Sequence, residues 1–159
     1  MSQPQSSPFT IIQAGPEHLD LVAPLFDAYR VFYEQPSDLA GAKAFIQARL
    51  EQKDSVIFLS LAEEAGQTVG LGFVQLYPTL SSISMRPIWI LNDLFVSPQV
   101  RSQGLGRALM ERARELARET GAKRLILATA VDNFTAQSLY ESLDYQRDER
   151  FYHYSLEIK

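Results

Sequence analysis

The chain has no cysteine among its 159 residues. That removes disulfides, thiol nucleophiles and cysteine-based metal sites, and it fits a reducing, cytoplasmic setting. Only two histidines are present, His18 and His153, far apart and without metal-ligand spacing, so no metal site is expected. No apolar run approaches the ~20 residues of a membrane span, so no membrane partner is expected. The first eight residues, Met1-Ser2-Gln3-Pro4-Gln5-Ser6-Ser7-Pro8, lack the basic and apolar regions of a signal peptide. They read as a disordered lead-in to a single domain over 9–159. Positive charge is also in deficit, with 15 Lys and Arg against 19 Asp and Glu and a net charge of −4. The balance speaks against nucleic acid as a partner and mildly for a cationic substrate.

What is present is enough apolar sequence, 46% of the chain, for one sizeable core. Residues 9–13 alternate as a first strand, and Gly15-Pro16 ends it. From 16 to 33, Leu19, Val22, Ala23, Phe26 and Tyr29 recur at helical spacing. Gln35-Pro36-Ser37-Asp38 is a second break, with Asp38 placed to cap a helix running to about Leu50. Strands are expected over 55–63 and 67–77, joined by the hairpin signal Glu64-Ala65-Gly66, and over 87–96. A helix from about Gly104 to Thr120 buries Leu105, Leu109, Ala113, Leu116 and Ala117. Its charged residues face solvent, and Gly121 is its expected C-cap. A buried strand over 125–129, a helix over 133–143 and an alternating last strand over 151–158 complete the order β-α-α-β-β-β-α-β-α-β. This is an α/β chain with a mixed sheet and helices packed on it.

The most informative stretch joins the strand ending at Val96 to the long helix through Arg101-Ser102-Gln103-Gly104-Leu105-Gly106. The first N–H groups of a helix have no partner inside it, and the helix dipole adds about half a positive charge there. Gly104 and Gly106 remove side chains from the approach, and Arg101 and Arg107 add charge. The geometry suits a pyrophosphate. A dinucleotide fingerprint would need glycine where Leu109 stands, and a Walker loop would need Gly-Lys-Ser/Thr, which is absent. The pattern Arg/Gln-x-x-Gly-x-Gly/Ala of acetyl-coenzyme A turns fits at every position.

With its flanks, the chain resembles the GNAT (GCN5-related N-acetyltransferase) superfamily over roughly residues 9–158. The resemblance is carried by the strand Ile90-Leu91-Asn92-Asp93-Leu94-Phe95-Val96 and the turn from Arg101 to Gly106. It is carried also by Asn133-Phe134-Thr135-Ala136-Gln137-Ser138-Leu139-Tyr140-Glu141, similar to the family's Asn-x-x-Ala-x-x-x-Tyr helix. The strand around Asn92 looks closest to small-amine and polyamine-type members. The resemblance implies a mixed, mostly antiparallel sheet of six or seven strands with about four helices, splayed between strands ending near Val96 and Thr129. It implies acetyl-CoA as cofactor and a small-molecule amine as acceptor. The backbone of Leu94, Phe95 and Val96 would then bind the pantetheine arm. Arg101, Ser102, Gln103, Gly104, Leu105, Gly106 and Arg107 would hold the pyrophosphate, with Asn133 and Ala136 completing the cofactor site. Asn133 also reads as the N-cap of its helix, and the two roles can coexist.

Tyr140 is the candidate general acid, since a phenol can protonate a departing thiolate; its other reading is a core tyrosine. Relatives often carry a carboxylate at the position matching Asn92, where an amide cannot take a proton. Strand alternation points the neighbouring Asp93 to the opposite face unless a bulge re-aims one of them. Asp93 acting through a water, beside Asn92, is the expected base, with Glu34 a second candidate; Asp93 also reads as a structural carboxylate. Tyr29, Tyr33, Glu34 and Asp38 would line the acceptor pocket, with Glu34 and Asp38 binding a cationic amine and Tyr33 stacking on it. Without cysteine, attack would be direct in a ternary complex. A non-catalytic acyl-CoA sensor and a protein acetyltransferase remain as alternatives. A homodimer built on the aromatic last strand is a further expectation. The family usually has glycine where Asp144 stands, a position where aspartate tolerates a left-handed backbone.

Overall fold

The computed structural model describes residues 8–159, so all but Pro8 of the expected lead-in lies outside it. The chain forms two compact units, one ending at Leu127 and one covering Ala128–Lys159. In the first, strands β1 (Thr10–Gln13), β2 (Val56–Glu64), β3 (Gln67–Ser81), β4 (Arg86–Val96) and β5 (Leu125–Ile126) form one sheet in that spatial order. Helices α1 (Leu19–Phe32) and α2 (Leu39–Gln52) lie between β1 and β2 in sequence, and α3 (Leu105–Glu119) lies between β4 and β5. The first four strands pair antiparallel; β5 returns parallel to β4 after the α3 crossover.

The β2–β3 connection has two residues, Ala65 and Gly66, both at positive φ (52° and 79°), between the paired Glu64 and Gln67. This is the twist-matched turn of a tight hairpin. One sheet face carries Ile57, Leu59, Phe73 and Phe95 against Val22, Leu25 and Phe26 of α1 and Ala42, Ile46 and Leu50 of α2. The other face receives the buried stripe of α3: Leu105, Leu109, Met110, Ala113, Leu116 and Ala117. On that side the Arg112 guanidinium lies 4.3 Å from the Phe58 ring centroid, and Trp89 Nε1 donates to Thr120 Oγ1 at the end of α3. Arg86 donates to the carbonyls of Gly121 and Ala122, just beyond the end of α3. No helix is long and apolar enough to cross a membrane.

The second unit contains α4 (Phe134–Ser142), capped by Asn133, whose side-chain oxygen accepts the Ala136 N–H at 3.2 Å. Asp144 follows at φ 69°, the left-handed conformation expected of it. Three expectations are corrected among the described residues. The sheet has five strands rather than six or seven, and β5 stops at Ile126 rather than 129. The last strand expected over 151–158 is not formed among the described residues. Alternation specifies two faces, but a strand also needs an extended run with a backbone partner. Here Asp148 Oδ1 accepts the N–H groups of Arg150 (2.8 Å) and Phe151 (3.3 Å), an Asx-type turn where the strand was to begin.

The α1–α2 loop is clipped by one carboxylate. Asp27 accepts Ser37 Oγ at 2.6 Å and the Asp38 N–H at 2.8 Å. The Ser37 hydroxyl first, and then the Asp38 amide, hold Asp27 below its ordinary pKa. A carboxylate lowered in the folded state stabilises above its unfolded pKa and ceases to do so as pH falls through the folded value. Asp27→Asn is therefore expected to lower Tm by about 2 °C at pH 7, with the gap to the parent closing below about pH 4. Thermal melts across that range check it; a gap that is constant with pH contradicts the clip.

Candidate active site

Four features of β4 and its surroundings assemble a site. The first is an open strand edge. β4 pairs with β5 only at Trp89↔Leu125 and Ile90↔Ile126. Beyond Ile90 its edge on that side, residues 91–96, meets no strand among the described residues. The splay expected near Val96 is thus present on the β4 side. On the opposite edge β4 stays paired with β3 out to Gly72↔Val96. A Cβ on Gly72 would lie 2.7 Å from the Phe95 carbonyl oxygen, so the close pairing at this end of the gap requires glycine. Sequence reading did not single out Gly72.

The second feature is a bulge. Gln75 pairs with Asp93 and Leu76 with Leu91, leaving Asn92 as the extra residue. Leu91 and Asp93 would share a face in a regular strand. The bulge separates them: Leu91 packs on the α3 side, and Asp93 turns to the α1–α2 side with Phe95. Asn92 is exposed and Asp93 is 3% exposed. The backbone carbonyl of Asn92, released from the ladder, lies 3.4 Å from the donating Tyr29 hydroxyl.

The third feature is the turn into α3. Ser102 and Gly104 both have positive φ (65° and 82°), and no side chain caps the helix. The backbone N–H groups of residues 102–106 have no hydrogen-bond partner among the described residues. A concave run of such donors at a helix start is an anion cradle. Arg101 also makes contacts that were not anticipated. Its Nε donates to Val96 O at 3.1 Å, and its guanidinium lies 5.9 Å from the rings of both Phe32 and Phe95. It ties the end of β4 to α1.

The fourth feature is a buried polar chain beside the bulge. Ser55 Oγ donates to Gln75 Oε1 (2.9 Å), Gln75 Nε2 donates to Asp93 Oδ2 (2.6 Å), and Asn92 Nδ2 donates to Asp93 Oδ1 (3.0 Å). Tyr77 lies two residues beyond Gln75; burial, and next the Asp93 charge, push its phenol up to about 12. Gln75 and Ser55 were not anticipated. Gln75 interrupts an apolar strand, but only the register across β3 and β4 shows that it faces an acid.

The expected acceptor residues are partly gathered. Tyr29 reaches the bulge, and its ring packs edge-on against Tyr33 (5.0 Å) and Phe73 (6.0 Å). Tyr33 ends α1 and is half-exposed. Glu34 follows it at φ 62°. Asp38 is committed to capping α2, accepting the Gly41 N–H at 2.9 Å. In the second unit Asn133 caps α4, and the Tyr140 ring lies 6.1 Å from that of Tyr145.

The sequence profile of the Acetyltransferase (GNAT) family matches residues 22–145. An uncharacterized N-acetyltransferase, YhfO, of Bacillus subtilis (strain 168) is 50% identical over 148 residues, covering 93% of this chain and 97% of its own. A thialysine N-epsilon-acetyltransferase of Caenorhabditis elegans is 27% identical over 137 residues, covering 86% of this chain and 82% of its own. A crystal structure described as a probable acetyltransferase superposes with a TM-score of 0.87 at 45% identity, covering 94% of this chain and 98% of its own.

The raised Tyr77 pKa has a measurable consequence. An unfolded tyrosine loses its proton near pH 10, while the folded one keeps it to about 12. The folded state therefore binds the extra proton, and stability is lost as pH rises from about 10 to about 12. Tyr77→Phe should flatten this alkaline loss in thermal melts. An alkaline profile identical to the parent's would show that Tyr77 does not titrate as the buried phenol described.

Proposed function

This chain belongs to the GNAT family of acetyltransferases, and we propose that it acetylates a small primary amine by direct attack on acetyl-CoA within a ternary complex. One observation carries the reading: the unpartnered N–H run of residues 102–106 lies at the head of α3, in the crossover that leaves the open edge of β4. The cradle fits the pyrophosphate of coenzyme A. The backbone of Leu94, Phe95 and Val96 fits the amide-bearing pantetheine arm, which hydrogen-bonds as a further extended chain would. Acetyl-CoA supplies an acetyl group on a thioester.

The acceptor arrives as an ammonium of pKa near 10 and must lose a proton before it attacks. Asn92, exposed at the bulge, offers its side-chain oxygen to an N–H of the amine. Asp93 behind it takes the proton through a water. The amine nitrogen then bonds to the thioester carbon, the carbon–sulfur bond breaks, and its electron pair leaves on sulfur. The Tyr140 phenol protonates that sulfur. With no cysteine in the chain, no acyl-thiol intermediate on the protein is available. Tyr29 and Tyr33 supply aromatic faces to a cationic acceptor, and Glu34 adds negative charge near them. The thialysine-acetylating relative supports a lysine-like or polyamine acceptor.

Turnover of acetyl-CoA with lysine, spermidine and other small amines tests the acceptor. Coenzyme A binding without turnover on any amine would overturn the small-amine reading. Tyr140→Phe should lower kcat by about 100-fold while the Kd for coenzyme A stays within about twofold; lost binding would make Tyr140 structural. Gly104→Glu puts a side chain on a left-handed residue and a negative charge into the cradle. It should weaken coenzyme A binding by about tenfold or more in calorimetry. Unchanged affinity would remove this turn from the pyrophosphate site.

A further inference from the structure

Asp93 is the one charged residue that is buried among the described residues, and it forms no ion pair among them. A carboxylate taken out of water without a counter-charge is costly unless donors replace its hydration. Here amides do so. Each oxygen accepts from one side-chain NH₂, from Gln75 at 2.6 Å and from Asn92 at 3.0 Å. An amide NH₂ only donates, so both bonds favour the ionised form.

The Gln75 amide cannot turn around without loss. A turned amide would set its oxygen against the Asp93 carboxylate, which only accepts; with the NH₂ toward Asp93, its oxygen is left to accept the Ser55 hydroxyl at 2.9 Å. Every donor in the chain from Ser55 to Gln75 to Asp93 thus points the same way. Gln75 is fully buried, and a glutamine there serves no apolar packing that leucine would not serve better.

We propose that Gln75, hydrogen-bonded in turn to Ser55, is a positioning residue for acetyl transfer: it holds the buried Asp93 carboxylate in place beside Asn92 to take the acceptor's proton. The assignment rests on the reading of Asp93 as the proton acceptor. The other groups around Asp93 do not replace this role. Tyr77, on β3, is neutral up to about pH 12. Tyr29, on α1, donates to the Asn92 carbonyl. Arg49, on α2, is paired with Asp54 at 2.9 Å and lies over the Phe45 ring at 4.9 Å. Without Gln75, one oxygen of the buried carboxylate loses its donor, and the loss of a hydrogen bond to a charged form disfavours that form.

The test is the pH profile of kcat/KM for acetyl-CoA and spermidine in the full chain, for the parent, Gln75→Leu, Gln75→Glu and Asp93→Asn. Asp93→Asn is expected to lose about 100-fold in kcat/KM and the acidic limb with it. Gln75→Leu should move that limb up by about one pH unit or more, with coenzyme A affinity within about twofold of the parent. Gln75→Glu is nearly isosteric and keeps the test available if the leucine variant does not fold. It puts two carboxylates on one proton and should move the limb further. If Asp93→Asn removes the limb but neither Gln75 variant moves it, the positioning role is overturned and Asp93 stands. A lowered Tm with an unmoved limb is that same result. If Asp93→Asn keeps both limb and rate, the reading of Asp93 fails, and the role of Gln75 fails with it.

Discussion

The site hangs on one irregularity, the extra residue Asn92 in β4. A strand with unbroken alternation would put Leu91 and Asp93 on the same face, one of them wrongly. By inserting a residue, the chain sends Trp89 and Leu91 to α3 and Asp93 and Phe95 to α1 and α2. It also frees the Asn92 carbonyl for the Tyr29 hydroxyl. The same kink places an exposed amide and a buried acid next to one another, joined by a hydrogen bond. The face toward α3 then stays apolar and packed while the charge sits on the α1–α2 side.

Around the bulge, each neighbouring element is held by a local device. Arg101 joins the end of β4 to Phe32 on α1. Asp27 holds the loop in which Ser37 and Asp38 stand. Gly72 lets β3 and β4 approach where a side chain would collide with the Phe95 carbonyl. None of these residues performs chemistry in the proposed reaction, yet together they fix where Tyr29, the bulge and the turn into α3 lie.

Much of this was legible in the chain because it is written in local signals. The turn at Gly104, the caps Asp38 and Asn133, the hairpin at Ala65-Gly66 and the stripe of α3 each depend on residues within a few positions of one another. A bulge near Asn92 was anticipated as a way to re-aim one of the two neighbouring residues. What was not legible depends on pairing across strands. Gln75 faces Asp93 because of a register between residues eighteen apart, and nothing near Gln75 announces it. The bond from Arg101 to the Val96 carbonyl was not legible either, because the turn that brings them together is not a local pattern. The expected last strand failed for the reverse reason: its alternation was clear, but the turn at Asp148 intervened.

The open edge of β4 has a consequence for solubility. Backbone groups without a strand beside them invite any extended chain, and long flat edges of that kind seed aggregation. Residues 91–96 are only six, and the bulge at their start bends and twists the ladder. A stray strand finds too short and too curved a register to build upon. The kink that aims Asp93 therefore also lets the chain keep an unpaired strand edge without joining other copies through it.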